Sequence, residues 1–227
     1  IMNYLPDCSP EELFAAHLDY GQCLNTVLSQ QLSPRNLSYR HLPDPERLLK
    51  VGYVSADFRS HAVARFIEPV FTYHDRTRFE IHGFYNYYSS DSVTHHLKKL
   101  VDAWHPIWGI EDEAFTDQVR TLGINILIDL SGHSGFHRFP VFFCRPAPVQ
   151  ATWLGYIGTT GLSAMDYRIC DAYTDPPGLT ECSHTEQLAR LPDCQWCYMP
   201  RTDLPPVGEL PQQRNDYLTL GSFNNAA

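Results

Sequence analysis

The stretch "INILIDLSGHSGFHRF", residues 124–139, runs from an almost continuously apolar segment into a turn rich in glycine, serine and histidine. A strand of a parallel sheet is covered on both faces, so it must be apolar almost throughout, as "INILIDL" is. Glycine and serine are typical of the loop that leaves such a strand. The stretch therefore predicts a buried parallel strand followed by a polar loop.

Apolar and helical patterns alternate on both sides of this strand. Strands are predicted at residues 50–55, 79–85, 124–130, 148–154 and 167–170, with a weaker candidate at 104–107. Helices are predicted at residues 62–73, 91–103, 111–122, 136–144 and 185–191. A strand, about 10–15 helical residues and a further strand are the signature of right-handed βαβ units. The sequence therefore predicts an α/β fold, with helices on both faces of a parallel sheet.

The two ends of the chain follow other patterns. Ser9 and Pro10 precede an acidic first turn and apolar residues at helical spacing, which predicts a helix at residues 10–29. The proline-rich stretch at residues 201–215 is typical of an interdomain linker. The segment "YLTLGSFNNAA", residues 217–227, resembles the start of another strand, so we expect that the chain is cut short.

Composition excludes several classes of protein. The formal net charge of −9 argues against a nucleic-acid binder, which usually has a basic face. No apolar run reaches the roughly 18 residues that a membrane span needs, and no signal segment is evident at the start. Among seven scattered cysteines, Cys194 and Cys197 are the only close pair and supply half of a zinc site at best. We therefore expect a soluble, cytoplasmic protein with reduced thiols and without nucleic-acid or membrane partners.

Three loops that follow predicted strands are rich in small and polar residues. They are "SADFRSH" at residues 55–61, "SGHSG" at 131–135 and "GYIGTTG" at 155–161. Ligands of open α/β sheets bind beyond the carboxyl ends of the strands, so parallel strands would bring all three loops to one edge of the sheet. Glycines in these loops allow the backbone to approach a ligand closely. The three loops are therefore the predicted binding site.

The second loop looks almost like the nucleophile elbow of a serine hydrolase. That elbow needs glycine two positions on either side of the serine. Gly132 meets this requirement before Ser134, but Phe136 stands where the second glycine belongs. The sequence therefore disfavours hydrolase chemistry, and the alternative for Ser134 is the N-cap of a helix.

The histidines in and near these loops could bind a metal ion, accept a proton or have a structural role. His133 and His137 lie four residues apart, but no glutamate follows His133, so a zinc-binding helix of that type is not indicated. His61 begins a predicted helix, whose positive end favours the neutral imidazole that accepts a proton. Capping or packing is the alternative for His61. The sequence has no D-x-D pair, so we expect a site without metal or cofactor.

Three longer stretches resemble the catalytic region of the O-linked N-acetylglucosamine transferases, in particular the bacterial and SPINDLY-type members. They are "LKVGYVSADFRSHAVARFIEPVFTYHDRTRFEIHGFYN", "GINILIDLSGHSG" and "FFCRPAPVQATWLGYIGTTGLSAMDYRICD". The resemblance covers about residues 48–225 and implies the GT-B architecture, in which two Rossmann-like lobes enclose a cleft. It makes residues 48–200 the N-terminal lobe and residues 216–227 the start of a truncated C-terminal lobe. Residues 1–47 then resemble a helical segment that links tetratricopeptide repeats to the catalytic region.

The resemblance also implies an activity. Enzymes of this family transfer N-acetylglucosamine from UDP-GlcNAc to serine or threonine hydroxyls of proteins, with inversion at the anomeric carbon. The implied partners are acceptor proteins or peptides, a nucleotide-sugar donor and the missing C-terminal lobe. Because that lobe carries most of the nucleotide contacts, we expect this chain to be inactive alone. Another donor, GDP-fucose or UDP-glucose, and a non-catalytic protein-binding lobe remain alternatives.

The resemblance assigns roles to individual residues. His61 matches the family's histidine near the acceptor hydroxyl, which makes it the candidate general base. His133 and Ser134 match the turn that reaches the donor sugar, and Asp129 either orients that turn through hydrogen bonds or has a purely structural role. The loop that lines the sugar and acceptor side is matched by Leu154, Gly155, Gly158, Thr159 and Thr160.

Overall fold

A computed structural model describes residues 7–31, 46–200 and 204–221 of the chain. Its seven strands form one parallel sheet in the order β3-β2-β1-β4-β5-β6-β7. The strands are β1 Leu49–Ser55, β2 Phe79–Tyr85, β3 Ala103–Pro106, β4 Ile126–Asp129, β5 Val149–Thr152, β6 Tyr167–Asp171 and β7 Gln187–Leu191. The predicted α/β fold with a parallel sheet is confirmed.

The helices connect these strands or flank them. They are α1 Pro10–Gln31, α2 Ala62–Tyr73, α3 Ser92–Leu97, α4 Asp112–Leu122, α5 Phe139–Phe143 and α6 Pro211–Asn215. Local sequence explains where several of them begin and end. Ser9 and Glu12 exchange side-chain and backbone hydrogen bonds at the start of α1, and α4 ends at Gly123 in the left-handed conformation.

The core lies on both faces of the sheet, because alternate residues of each strand point to opposite sides. On one face, Val51 and Tyr53 of β1 belong to a buried cluster with Phe71 of α2. On the other face, Val54 of β1 and Leu127 of β4 belong to a second cluster, which includes residues of α4 and α5. The near-continuous apolar character of "INILIDL" is thus explained by burial from both sides.

The prediction of a helix at residues 185–191 is wrong. Residues Gln187–Leu191 form β7, which pairs in parallel with β6 from Tyr167 to Asp171. In a segment of this length, the periodicity of apolar residues does not distinguish a helix from a strand. The segment forms a strand because the open edge of β6 supplies hydrogen-bond partners for its backbone. The Gln187 amide, for example, donates to the Asp166 carbonyl at 2.9 Å.

Other predictions differ at element boundaries. The helix predicted at residues 91–103 ends at Leu97 and continues as a 3-10 turn over Lys98–Leu100, and the one predicted at 136–144 begins at Phe139. The strand predicted from residue 217 is not formed over residues 217–221, and the rest of it lies outside the described residues. The predicted proline-rich linker includes the short helix α6.

Two further observations bear on the class of protein. Within residues 7–31, 46–200 and 204–221, no helix combines the length and apolar character needed to cross a membrane. All seven cysteines fall within these ranges and are free thiols.

Candidate active site

The predicted binding loops leave neighbouring strands at one edge of the sheet. Strands β1 and β4 are adjacent, and the chain continues from β1 toward β2 on one side and from β4 toward β5 on the other. Such a reversal of strand order is the position at which open α/β sheets bind ligands. The loops after β4 and β5 are in direct contact, since a Cβ added at Gly155 would lie 2.0 Å from the carbonyl oxygen of Leu130.

His61 is the N-cap of α2. Its Nδ1 accepts a hydrogen bond from the Val63 amide at 3.3 Å and lies 3.6 Å from Oδ2 of Asp57. The capping role expected as an alternative is therefore present. With the lone pair at Nδ1, the proton of a neutral imidazole is on Nε2. His61 can accept a proton at Nε2 only when Nδ1 carries the other proton, and Oδ2 of Asp57 then lies 3.6 Å from that protonated nitrogen.

Asp57 itself is held by the loop after β1. The residue is 7% exposed, and its backbone amide donates to Oγ of Ser55 at 2.9 Å. The guanidinium of Arg59 lies 3.3 Å from Oδ1 of Asp57, on the oxygen that does not face His61. The carboxylate is therefore fixed between a cation and an imidazole.

Asp129 is hydrogen-bonded to the turn that follows β4, which is one of the two roles expected for it. Its carboxylate accepts from the amides of Ser131 and Gly132 at 3.1 and 2.7 Å and from the Thr152 hydroxyl at 3.1 Å. The side chain is fully buried, and this burial raises its pKa to about 6 although the hydrogen bonds act in the opposite direction. Asp129 therefore fixes the turn in which His133 lies.

Ser134 is not the N-cap of α5, so the structural alternative expected for it is wrong. The helix begins at Phe139, with Arg138 at the cap position, and the Ser134 hydroxyl donates to the carbonyl of Ser131 at 2.7 Å. Phe136 has a φ of 61°, a left-handed conformation that residues other than glycine rarely adopt. The Asn86 side-chain amide donates to the Phe136 carbonyl at 2.7 Å and holds this conformation.

His133 lies in an aromatic cage. Its ring centroid is 4.7 Å from that of His17, 5.1 Å from those of Tyr20 and Phe139, and 5.2 Å from that of Tyr156, all in edge-on arrangements. Burial and the neighbouring His17 lower the pKa of His133 to about 4. The imidazole is therefore neutral at physiological pH. Its Nε2 lies 2.9 Å from the Thr160 carbonyl oxygen, which can only accept, so the proton is on Nε2.

The loop from Leu154 to Thr160 is tightly held. Leu154 is buried with a φ of 64°, and a Cβ on Gly158 would lie 2.9 Å from the Tyr156 ring. The hydroxyls of Thr159 and Thr160 do not face an open cleft, because both donate to the carboxylate of Glu186. Nothing in the sequence around Glu186 marks it, since its partners lie 26 and 27 residues away.

Two more side chains, neither of them predicted from the sequence, hold the same loop through Tyr156. The Tyr156 hydroxyl bonds to Nε2 of His17 at 2.7 Å, and the buried guanidinium of Arg168 donates to the Tyr156 carbonyl at 3.0 Å. Helix α1 approaches so closely that a Cβ on Gly161 would lie 2.0 Å from the His17 carbonyl oxygen. The segment expected to be a linker therefore packs directly on the predicted site.

An aromatic surface adjoins the loops after β1 and β4. Rings from the loops after β2, β3 and β4 meet there, and Trp108 and Tyr87 lie 5.6 and 5.5 Å from Phe136, centroid to centroid. The Arg59 guanidinium stacks over Tyr87 at 4.4 Å. This surface was not predicted, because its rings come from three separate loops.

No group of three or more histidine, cysteine, aspartate or glutamate side chains suited to a metal ion occurs within the described ranges. Independence from metals and cofactors stays a prediction.

The chain matches known proteins over most of its length. The sequence profile of Glycosyl transferase family 41 matches residues 14–200. A probable UDP-N-acetylglucosamine–peptide N-acetylglucosaminyltransferase SPINDLY from Arabidopsis thaliana is 40% identical over 230 residues, which cover 100% of this chain and 24% of that protein. The corresponding SPINDLY protein of Petunia hybrida is 38% identical, again over 100% of this chain and 24% of the relative. The chain thus spans about a quarter of the length of these relatives.

A solved structure has the same fold. A mutant of the O-GlcNAc transferase from Thermobaculum terrenum superposes with a TM-score of 0.84 at 39% sequence identity, over 91% of this chain and 39% of that one. A UDP-N-acetylglucosamine–peptide N-acetylglucosaminyltransferase of Caenorhabditis elegans is 35% identical over 63% of this chain and 13% of the relative. The resemblance recognised in the sequence is confirmed: this chain belongs to glycosyltransferase family 41.

Proposed function

We propose that this chain is part of an enzyme that transfers N-acetylglucosamine from UDP-GlcNAc to serine or threonine hydroxyls of proteins. The observation that supports this most directly is the family 41 match over residues 14–200, which includes all three loops at the switch point of the sheet. The names of the Arabidopsis and Caenorhabditis relatives specify UDP-N-acetylglucosamine as donor and peptide as acceptor. Donors such as GDP-fucose or UDP-glucose are therefore not favoured.

The proposed reaction is an inverting displacement. The acceptor oxygen forms a bond to the anomeric carbon while the bond from that carbon to the diphosphate breaks, and the electron pair leaves with UDP. A serine or threonine hydroxyl has a very high pKa, so a base must take its proton as the new bond forms. General-base assistance contributes about 10²–10⁴-fold in rate.

We assign the base role to His61. Its neighbour Asp57 supports this assignment, because a carboxylate 3.6 Å from Nδ1 stabilises the imidazolium that forms when Nε2 takes the proton. In the resting structure Nδ1 instead accepts from the Val63 amide, so the tautomer must change before the reaction. The 40% exposure of the His61 side chain leaves it accessible to an acceptor hydroxyl.

We assign the sugar to the turn that contains His133 and to the loop with Gly155 and Gly158. The turn is fixed by Asp129 and the loop by contacts with α1, Arg168 and Glu186, so both are preorganised, as electrostatic catalysis requires. The relatives extend well beyond the region that this chain covers, and we place the nucleotide contacts there. A cytoplasmic location is also proposed, since seven free cysteines suit a reducing compartment.

The proposal is tested by incubating the full-length protein with an acceptor peptide and one donor at a time. Mass spectrometry should detect a mass increase of one N-acetylhexosamine with UDP-GlcNAc and no product with GDP-fucose or UDP-glucose. Transfer from GDP-fucose alone would replace the donor assignment. Binding of peptide without transfer from any donor would instead make the chain a protein-binding lobe.

A further inference from the structure

The carboxylate of Glu186 is not assigned a contact with substrate in the proposed reaction, yet it is buried beside the predicted site. The residue is 5% exposed and lies immediately before β7. Its Oε2 accepts from the Thr159 hydroxyl at 2.7 Å, and its Oε1 accepts from the Thr160 amide at 2.7 Å and from the Thr160 hydroxyl. Three donors of one loop therefore converge on a single carboxylate.

A carboxylate suits this position better than a neutral group. Hydrogen bonds to an ionised acceptor are roughly twice as strong as those between neutral groups. A buried charge is tolerated when its oxygens are fully hydrogen-bonded, as the three donors of Thr159 and Thr160 achieve here. The arrangement therefore fixes both the backbone and the side chain of Thr160.

Thr160 connects this carboxylate to His133. Its amide and hydroxyl face Glu186, and its carbonyl oxygen accepts from Nε2 of His133 at 2.9 Å. In a neutral imidazole only one nitrogen carries a proton, so this contact places the lone pair on Nδ1. The lone pair on Nδ1 is therefore the one that can accept a hydrogen bond.

We propose that Glu186 is a positioning residue which, through Thr160, fixes His133 as the Nε2–H tautomer and leaves Nδ1 to accept a hydrogen bond from the sugar substrate. The hydrogen-bonding group of the sugar is a hydroxyl or the amide N–H of an acetamido substituent. This inference rests on the proposed function for the identity of the ligand, whereas the control of the tautomer does not depend on it. The aromatic cage keeps the imidazole neutral. Only the neutral imidazole, which carries one N–H, exists as two tautomers.

The tautomer can be measured directly by ¹⁵N NMR of the full-length protein labelled with [¹⁵N]histidine. The variant His133→Gln assigns the signals. In the wild type we expect the signals of the Nε2–H form. In Glu186→Ala the Thr160 carbonyl is released, and we expect the ratio of the Nδ1–H to the Nε2–H form to rise about fivefold, the effect of one hydrogen bond. Glu186→Gln should change the ratio in the same direction and is measured if Glu186→Ala does not fold.

A matched control is Glu181→Gln. Glu181 is also a carboxylate that accepts a backbone hydrogen bond, from Gly178 at 2.9 Å, but it does not contact the Thr159–Thr160 loop. Its substitution should leave the tautomer ratio unchanged. A folded Glu186 variant with the wild-type ratio, or a Glu181→Gln ratio that changes equally, would overturn the proposal.

Kinetics separate this inference from the proposed function. If the protein transfers N-acetylglucosamine, kcat of the Glu186 variant should fall about fivefold while its affinity for UDP is unchanged. A shifted tautomer in a protein that transfers no sugar would support the positioning role and refute the activity. An active protein whose tautomer does not respond to Glu186 would do the reverse.

Discussion

The Tyr156 hydroxyl lies 2.7 Å from Nε2 of His17, so a helix that precedes the sheet and a loop at its rim share a hydrogen bond across 139 residues of sequence. The other ring nitrogen of His17 donates to the Leu13 carbonyl at 2.6 Å, which fixes Nε2 of the neutral ring as the acceptor. His17 is 7% exposed, so its contacts with the loop are shielded from water. Helix α1 is thus part of the wall of the candidate site.

Removing the hydroxyl tests this contact. Tyr156→Phe leaves Nε2 of the buried His17 without its donor, and we expect a loss of about 1 kcal/mol in the free energy of unfolding. Urea denaturation of the chain measures it. The control is Tyr88→Phe, which removes an exposed hydroxyl and should cost much less. Equal losses in the two variants would show that the Tyr156–His17 bond does not stabilise the fold.

Gly161 and Gly178 separate steric contact from backbone strain. Both glycines have a left-handed φ, 74° at Gly161 and 81° at Gly178. A Cβ added at Gly161 would lie 2.0 Å from the His17 carbonyl oxygen, whereas a Cβ added at Gly178 would have no atom within 4 Å. An alanine in the left-handed region costs roughly 1–2 kcal/mol. We therefore expect this cost for Gly178→Ala and at least twice as much for Gly161→Ala, measured as the change in the free energy of unfolding. Similar costs would argue against close packing of α1 on the loop.

The lowered pKa of His133 predicts a dependence of stability on pH. In the unfolded chain His133 has the ordinary pKa of 6.5 and binds a proton below that pH. In the folded chain its pKa is about 4, so the imidazole stays neutral down to about pH 4. Stability from this residue is therefore complete above pH 6.5 and is lost as the pH falls from 6.5 to 4. His133→Gln keeps an N–H for the Thr160 carbonyl and removes the titration.

The measurement is the difference between the unfolding free energies of wild type and His133→Gln across this pH range. The difference should be constant above pH 6.5 and should change in favour of the variant as the pH falls toward 4. Asp129, whose raised pKa of about 6 acts in the opposite direction, is present in both proteins and cancels in the difference. Parallel stability curves would contradict the lowered pKa of His133.

The fold could be predicted from the sequence because strands that are buried on both faces consist of nearly continuous apolar residues, which are visible in the sequence. Helix α2 and strand β2 were predicted at their observed bounds, Ala62–Tyr73 and Phe79–Tyr85. Strand β7 was not, because Gln187–Leu191 has no continuous apolar run, and three of its residues are only partly buried at the edge of the sheet. It forms a strand because its backbone is hydrogen-bonded to β6, and the local sequence gives no information about that partner.

The site was predicted only in part. The resemblance assigned the roles of His61 and Asp129, and the structure places Asp129 at the end of β4 and His61 at the start of α2. Their roles stay predictions. The resemblance assigned Thr159 and Thr160 to the loop that lines the sugar and acceptor side, but in the structure their hydroxyls donate to Glu186. That partner and His17 come from distant segments, so their contacts exist only once the chain has folded.

The measurement that tests the central claim most directly is sugar transfer by the His61→Asn variant of the full-length protein. Asparagine is a good N-cap, so the substitution preserves the start of α2 while it removes the imidazole. With UDP-GlcNAc and an acceptor peptide, we expect kcat to fall about 10²–10⁴-fold while the affinity for UDP is unchanged. Transfer by His61→Asn at the wild-type rate would contradict the assignment of His61 as the base and of these loops as the acceptor side of the site.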